Sequence, residues 1–413
     1  MMKKMLKTTA VLLCVSLLLC GCGSSGTTDL MVEIVPQKIQ TSADVSAFFI
    51  KGQFDMSASL LREISATQSD NFMVSALSLS NSLGMVLNGA KGETADEISQ
   101  VLCANNGAED FNKSLYTFNN AIGKELLSIN SIWYKNSKTL NIEKSFLQTS
   151  ADYYGAAARK ISFDQEGKNL INEWVKESSA GNINGIIDNI EENSVMYLIN
   201  ALTFESPWSN QYPDSSIATG EFTTLQGNKV SVDMMTSRES AYIEYKGAKG
   251  FVKPYAMANY LFAAVLPPQN ININDYIAYL SGDDIKVMAN NYKEQDVIVS
   301  LPKFSFEYSF EANDALSNMG IKLAFDGKKA DFSAMGKMNN KQNIYLSKVI
   351  QKTYIKVDNQ GTSAGAVSSS EMAVKTSLSQ AESLVFDRPF IFMILESNCN
   401  VPVFIGVVNN PAQ

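Results

Sequence analysis

Residues 357 to 390, VDNQGTSAGAVSSSEMAVKTSLSQAESLVFDRPF, limit what this chain can fold into more than any other stretch. They start in a strand-like run, QKTYIKV, and end in another, PFIFMIL, with almost uncharged Gly, Ala, Ser and Thr between. That composition describes a flexible linker. Linkers join domains, however, and only 23 residues follow Phe390, too few for a second core. The stretch is therefore a long loop inside one domain, and loops of that length are usually functional or disordered.

The loop also carries a strand pattern. Thr362, Ala364, Ala366, Ser368, Ser370 and Met372 are small or apolar at every second position, and the lone charge among them, Glu371, falls on the opposite phase. A period of two with one uncharged face suits a strand entering a crowded sheet. No proline interrupts residues 361 to 375, so every ladder donor is kept. The segment is expected to be a loop in one state and a central strand in another.

GTSAGA at 361–366, FDRPFIFMI at 386–394 and VPVFIGVVNNP at 401–411 together resemble the reactive-centre region of the serpin family. The likeness continues through Asn71, Ser75, Ser78, Leu83, Met85, Gly89, Ala90, Gly92, Thr94 and Ile98, with Ala76 where the family usually has proline. INEWVKESSAGNINGII (171–187), the stretch from Asn200 to Trp208, VSLPKFSFEY (299–308) and ALSNMGIKLAF (315–325) extend it over residues 46 to 411. The resemblance implies an α+β fold with three β-sheets, about eight or nine helices and an exposed reactive-centre loop. It implies a suicide-substrate inhibitor of serine proteases, consumed as a covalent acyl-enzyme once the cut loop joins the central sheet. This family is itself a standing example of such strand addition.

Particular residues take roles from that resemblance. Gly361, Thr362, Ser363, Ala364, Gly365, Ala366, Val367 and Ser368 are the hinge, free of bulky, charged or proline residues. Ser75, Ser78, Asn200 and Gln351 form a shutter beneath the sheet. Gln351 stands where the family usually has histidine; its amide can both donate and accept, and it does not titrate. Inhibition without a histidine-linked pH step follows. Lys375, 13 residues beyond Thr362, occupies the spacing of the residue cut by the target, so the reactive bond is Lys375-Thr376 and the target trypsin-like. The plainer reading of Lys375 is a solubilising charge. The loop is somewhat longer than in many relatives, which leaves Met372-Ala373 and Leu378-Ser379 open as the cut bond. Asn359 replaces the family's usual Glu, a departure that favours the alternative of a non-inhibitory surface protein cleaved as a mere substrate.

The chain has no histidine, so neither a Ser-His-Asp nor a Cys-His system can be built, and most zinc sites are excluded. No cofactor or metal is implied, and the chain reads as an inhibitor, not an enzyme. Gly84, Gly89 and Lys91 imitate a phosphate loop, but Ala90 separates the second Gly from the Lys and breaks the motif. Absence of alternating βα units disfavours a solute-binding protein. Without the leader's Lys3, Lys4 and Lys7 the chain has 31 basic and 42 acidic side chains, a net −11. That balance argues against nucleic acid or a heparin-like polyanion as partner, and a monomer is expected.

MMKKMLK, the apolar TTAVLLCVSLLL and then LCGC read as an export signal too short for a membrane span. Leu19-Cys20-Gly21-Cys22 resembles a bacterial lipobox. Residues 1–21 are then a signal peptide, Cys22 the lipidated residue, 22–45 a flexible tether and 46–413 a single domain. This places the protein in the cell envelope, lipid-anchored and facing outward. Cys103 and Cys399 read most simply as two buried thiols, although pairing stays open. Phe54, Ala58, Leu61 and Ser65 share a helical face, predicting a helix over 46–65. Thr94 and Glu97 predict a helix start capped by Thr94.

Overall fold

The computed structural model describes residues 27–41, 44–104, 106–339, 343–362 and 382–413. Three sheets and nine α-helices make up an α+β fold among the described residues. The eight-stranded sheet positions the site. Across it lie Thr27–Asp29, Ala157–Ile161, Leu126–Lys135, Met196–Phe204 and Lys348–Val357, with Phe304–Glu311 flanking the last. Met196–Phe204 and Lys348–Val357 run parallel, in register from Tyr197↔Lys348 to Thr203↔Tyr354. The boundary between these two strands is called the seam below.

Burial explains the character of the seam strands. MYLINALTF is buried at every position, as a strand covered on both faces must be. In Lys348–Val357 the lysines and Tyr354 are only half-buried and alternate with buried Val349, Gln351, Thr353, Ile355 and Val357, the period of two that keeps one face wetter. Behind the sheet, helix Ala47–Ser65 buries Phe54, Ala58, Leu61 and Ser65 as its periodicity predicts. Helix Ala76–Leu87 is buried on all sides, between the large sheet and strand Pro402–Val408 of the nine-stranded sheet. In front, helix Gln165–Ser178 lays Ile171 and Val175 on a separate small core of Trp133, Tyr197, Ile199 and Ile350.

Three local expectations change. The helix predicted to start at Thr94 starts at Gly92, whose φ of +53° is open to glycine. Thr94 lies within its first turn and is buried, its Oγ1 accepting from the Asp331 N–H at 3.0 Å. Glu97 instead accepts from the N–H groups of Lys322 and Leu323. Cys103 and Cys399 are free, and both are half-buried, not fully buried. The tether-like N-terminal stretch is docked: Thr27–Asp29 pair with Ala157–Ile161, Ile34 is buried, and the Gln37 N–H donates to Asp152 at 2.7 Å.

Candidate functional site at the sheet seam

At the head of the seam the chain leaves Val357, turns, and comes back as Gly361–Thr362. This pair lies antiparallel to Val357 on one side and to Ser206–Pro207 on the other. An aspartate builds the turn. The Asp358 carboxylate accepts from Gln360 N–H at 2.8 Å and Gly361 N–H at 3.3 Å, and the Asp358 N–H donates to the Gly361 carbonyl at 3.0 Å. Trp208 holds the turn from outside, its indole donating to the Asp358 carbonyl at 2.8 Å and its backbone N–H to Gln360 at 2.9 Å. Asn359 donates from its side chain to Asp214 at 3.3 Å. Gly361 has no room for a side chain, since a Cβ there would lie 2.3 Å from the Ser206 carbonyl oxygen.

Thr362 is fully buried, and its hydroxyl meets the Tyr255 hydroxyl at 2.5 Å. Tyr255 stacks on Trp208 with centroids 4.6 Å apart and planes 9° off parallel. Burial pushes the Tyr255 phenol far above its ordinary range, so it stays a neutral donor and acceptor. Beside this stack the Lys253 ammonium pairs with Glu239 at 2.6 Å, both side chains less than a tenth exposed. Lys253 also faces the rings of Tyr212 at 4.6 Å and Trp208 at 5.7 Å.

Lower down, Ser75, Ser78, Asn200 and Gln351 lie in one hydrogen-bonded cluster. Asn200 and Gln351 are direct neighbours across the seam. Gln351 accepts from the Ser75 N–H at 2.9 Å, and its Nε2 donates to the Ser75 carbonyl at 3.0 Å and the Ser78 hydroxyl at 2.9 Å. Ser78 in turn donates to the Asn200 side-chain oxygen, and the Asn200 amide donates to Asn130. Ser75 caps helix Ala76–Leu87 by accepting from the Ser78 N–H at 3.1 Å. All four side chains are buried. Asn130, Tyr255, Lys253 and Glu239 belong to the site but were not singled out by sequence. A signal existed for one of them: Lys253 interrupts an otherwise apolar strand, GFVKPY.

Of the hinge, Gly361 and Thr362 stand at the head of the seam. Ser363 to Ser368, Lys375, Thr376, Met372-Ala373, Leu378-Ser379 and Cys22 lie outside the described residues. What the structure presents is a sheet whose two central strands pair directly, with the first two residues of a possible intervening strand already seated above them.

That arrangement defines a class, a large mixed sheet whose own chain returns as a short antiparallel pair at the head of its two central strands. The family model for serpin (serine protease inhibitor) matches residues 51–411. The chain belongs to the serpin family. Among its relatives, human Serpin B11 is 28% identical, the match covering 83% of this chain and 94% of that protein. Serpin-Z7 of Hordeum vulgare is 30% identical over 85% of this chain and 94% of its own. The thermophilic serpin Tengpin in its native state superposes with a TM-score of 0.88 at 38% identity, covering 93% of this chain and all of that one. Its latent-state structure gives 0.78 at 39% identity, covering 90% and 100%. By TM-score this chain lies nearer the native-state structure than the latent-state one.

Proposed function

We propose that the protein is an irreversible suicide-substrate inhibitor of trypsin-like serine proteases. The observation that carries this reading is Gly361–Thr362, buried and paired antiparallel to both sides of the seam. A segment continuing from Thr362 enters between Met196–Phe204 and Lys348–Val357 in the right direction and register. The target serine attacks the Lys375 carbonyl, the Lys375-Thr376 peptide bond breaks, Thr376 leaves as the new amine, and Lys375 stays esterified to the enzyme. Severing the loop frees residues 363–375 to insert.

Insertion replaces one parallel ladder with two antiparallel ones. Each added hydrogen bond contributes about 0.5–1.5 kcal/mol net, so a strand of roughly ten residues gains on the order of 10 kcal/mol. That matches the whole stability of an ordinary domain and is enough to distort an attached protease. The uncut form is held by a kinetic barrier.

Trypsin mixed with the purified protein and run on a denaturing gel tests the proposal. A covalent band larger than either partner is the expected result, with the nicked protein melting above the uncut one. Two fragments with trypsin still active would instead make this a non-inhibitory surface protein. Anchoring is part of the same reading: Cys22, in the lipobox-like LCGC, is acylated and holds the domain at the outer face of the envelope. Among the described residues no helix is long and apolar enough to cross a membrane.

A further inference from the structure

Thr27, the first described residue, stands at one pole of the large sheet. It pairs with Ile161, Ile161 is level with Lys135, Tyr134 with Met196, and Tyr197 with Lys348. One row of register therefore ties the N-terminal strand to the ends where both seam strands begin. The hinge lies at their other ends, beside Ser206–Pro207 and Val357. From Thr27 the segment climbs away from this pole, with the Leu30 N–H bonded to Ala158 and the Val35 carbonyl accepting from Gln148.

We infer that this pole faces the lipid bilayer and that the reactive loop is presented at the opposite pole. The inference rests on the reading of Cys22 as acylated, and its content is the orientation that follows. Only Gly23, Ser24, Ser25 and Gly26 separate Cys22 from Thr27. Five peptide steps reach at most about 18 Å. A leash free to residue 45 would reach on the order of 80 Å and leave orientation open. Docking of Thr27–Asp29 thus turns a long tether into a short one, fixed at a known corner of the molecule. Charge does not set the orientation, because Lys135 and Lys348 share this pole with Glu191 and Glu192. Anionic lipid is not required.

A consequence follows for the trapped enzyme. A strand growing from Thr362 runs toward the Met196 and Lys348 ends, and 13 residues extend about 44 Å. The nine-residue strand Met196–Phe204 spans about 30 Å. An enzyme carried on Lys375 arrives at the membrane side, where a gap of about 18 Å is too small for it.

The test uses the full chain expressed in bacterial membranes with Cys103→Ser and Cys399→Ser. A single reporter cysteine is placed at Glu192, beside the start of the seam strand, or at Met257, exposed beside the hinge. With a fluorophore on that cysteine and a headgroup quencher in neutral lipid, the Glu192 position is expected to be quenched severalfold more than Met257. A long Gly-Ser spacer inserted before Thr27 is expected to abolish the difference. Equal quenching in membrane-bound protein, or stronger quenching at Met257, overturns the orientation and leaves the anchor standing. Membrane retention unchanged by Cys22→Ser overturns the anchor and the orientation together.

Discussion

At the head of the seam the buried polar groups are a charged pair in an aromatic box, whereas lower down they are neutral amides and hydroxyls. The two groups differ also in what they join. Lys253 and Glu239 both belong to strands of the nine-stranded sheet and do not bridge the seam. Gln351 and Asn200 sit on its two sides and are linked through Ser78. Parting the seam strands must break one of those links but leaves the ion pair intact. A buried ion pair that loses one partner costs about 3–5 kcal/mol, and a buried neutral hydrogen bond that loses one costs about 1–3 kcal/mol. On the proposed insertion, the pair that is costlier to break supports a part that stays in place, and the cheaper links close the part that opens.

The largest expected effect is at the hinge itself. Thr362→Arg would place a guanidinium in a fully buried site against Tyr255. An unpaired buried charge costs several kcal/mol, so the stem is expelled and the inserting strand loses its first residues. Several kcal/mol corresponds to roughly a hundredfold or more, so the covalent trypsin band is expected to vanish while cleavage persists. A variant that still traps trypsin would show that the seated stem is not the seed of insertion.

Next comes the charged pair. Lys253→Met alone strands Glu239, and Glu239→Leu alone strands Lys253 beneath two rings, each at a cost of about 3–5 kcal/mol. The double variant is expected to recover most of this, a coupling read from urea midpoints. Because the pair lies off the seam, the double variant is also expected to keep the parental number of inhibitor molecules consumed per protease inactivated. A changed ratio would mean that the head supports more than the hinge.

These contrasts were unequally legible in the sequence. Periodicity predicted a helix over 46–65, found at Ala47–Ser65, and family likeness marked the stretch from Asn200 to Trp208. Family likeness placed Ser75, Ser78, Asn200 and Gln351 in one cluster, and the structure assembles them. Asn130 escaped because its role depends on register, which puts it opposite Asn200 and which no local pattern encodes. Lys253 and Glu239 escaped for a related reason: they lie on adjacent strands joined by a hairpin, and only the pleat decides that both point inward. The N-terminal stretch read as a tether because its docking uses backbone bonds and one buried isoleucine, Ile34, which composition does not report.

The clasp in the middle should yield smaller and more specific effects. Gln351→Leu leaves the Ser75 N–H and carbonyl and the Ser78 hydroxyl without this partner, a loss of about 1–3 kcal/mol. Faster spontaneous loss of inhibitory activity on warming is expected, as the seam opens without cleavage. Wild-type inhibition, read relative to the protease's own rate at each pH, is expected to be flat from about pH 5.5 to 8, since this chain has no histidine to titrate. Gln351→His should break that flatness in one direction. Desolvation disfavours the charged imidazole, so its folded pKa falls below the unfolded value of about 6.5. Its stability is then present above about pH 6.5 and lost as pH falls, so inactivation should quicken in acid. Quickening toward alkaline pH would mean that the imidazole is held charged.

The smallest effect on inhibition is expected where the fold has a strong polar contact far from the seam. Burial alone would raise the Asp284 carboxyl, but hydrogen bonds from Lys246, Ser281 and Tyr245 outweigh it and hold the group well below the usual carboxylate range. A depressed folded pKa stabilises above the unfolded value near 4 and is lost as pH falls through it. Asp284→Asn should cost about 1–2 kcal/mol at neutral pH, toward the low end because Lys246 is exposed, and the gap to wild type should close in acid. Its trapping of trypsin should be unchanged. If this distant loss shifted trapping as far as Gln351→Leu does, seam behaviour would follow total stability, and the division between a fixed head and a releasable clasp would carry no function.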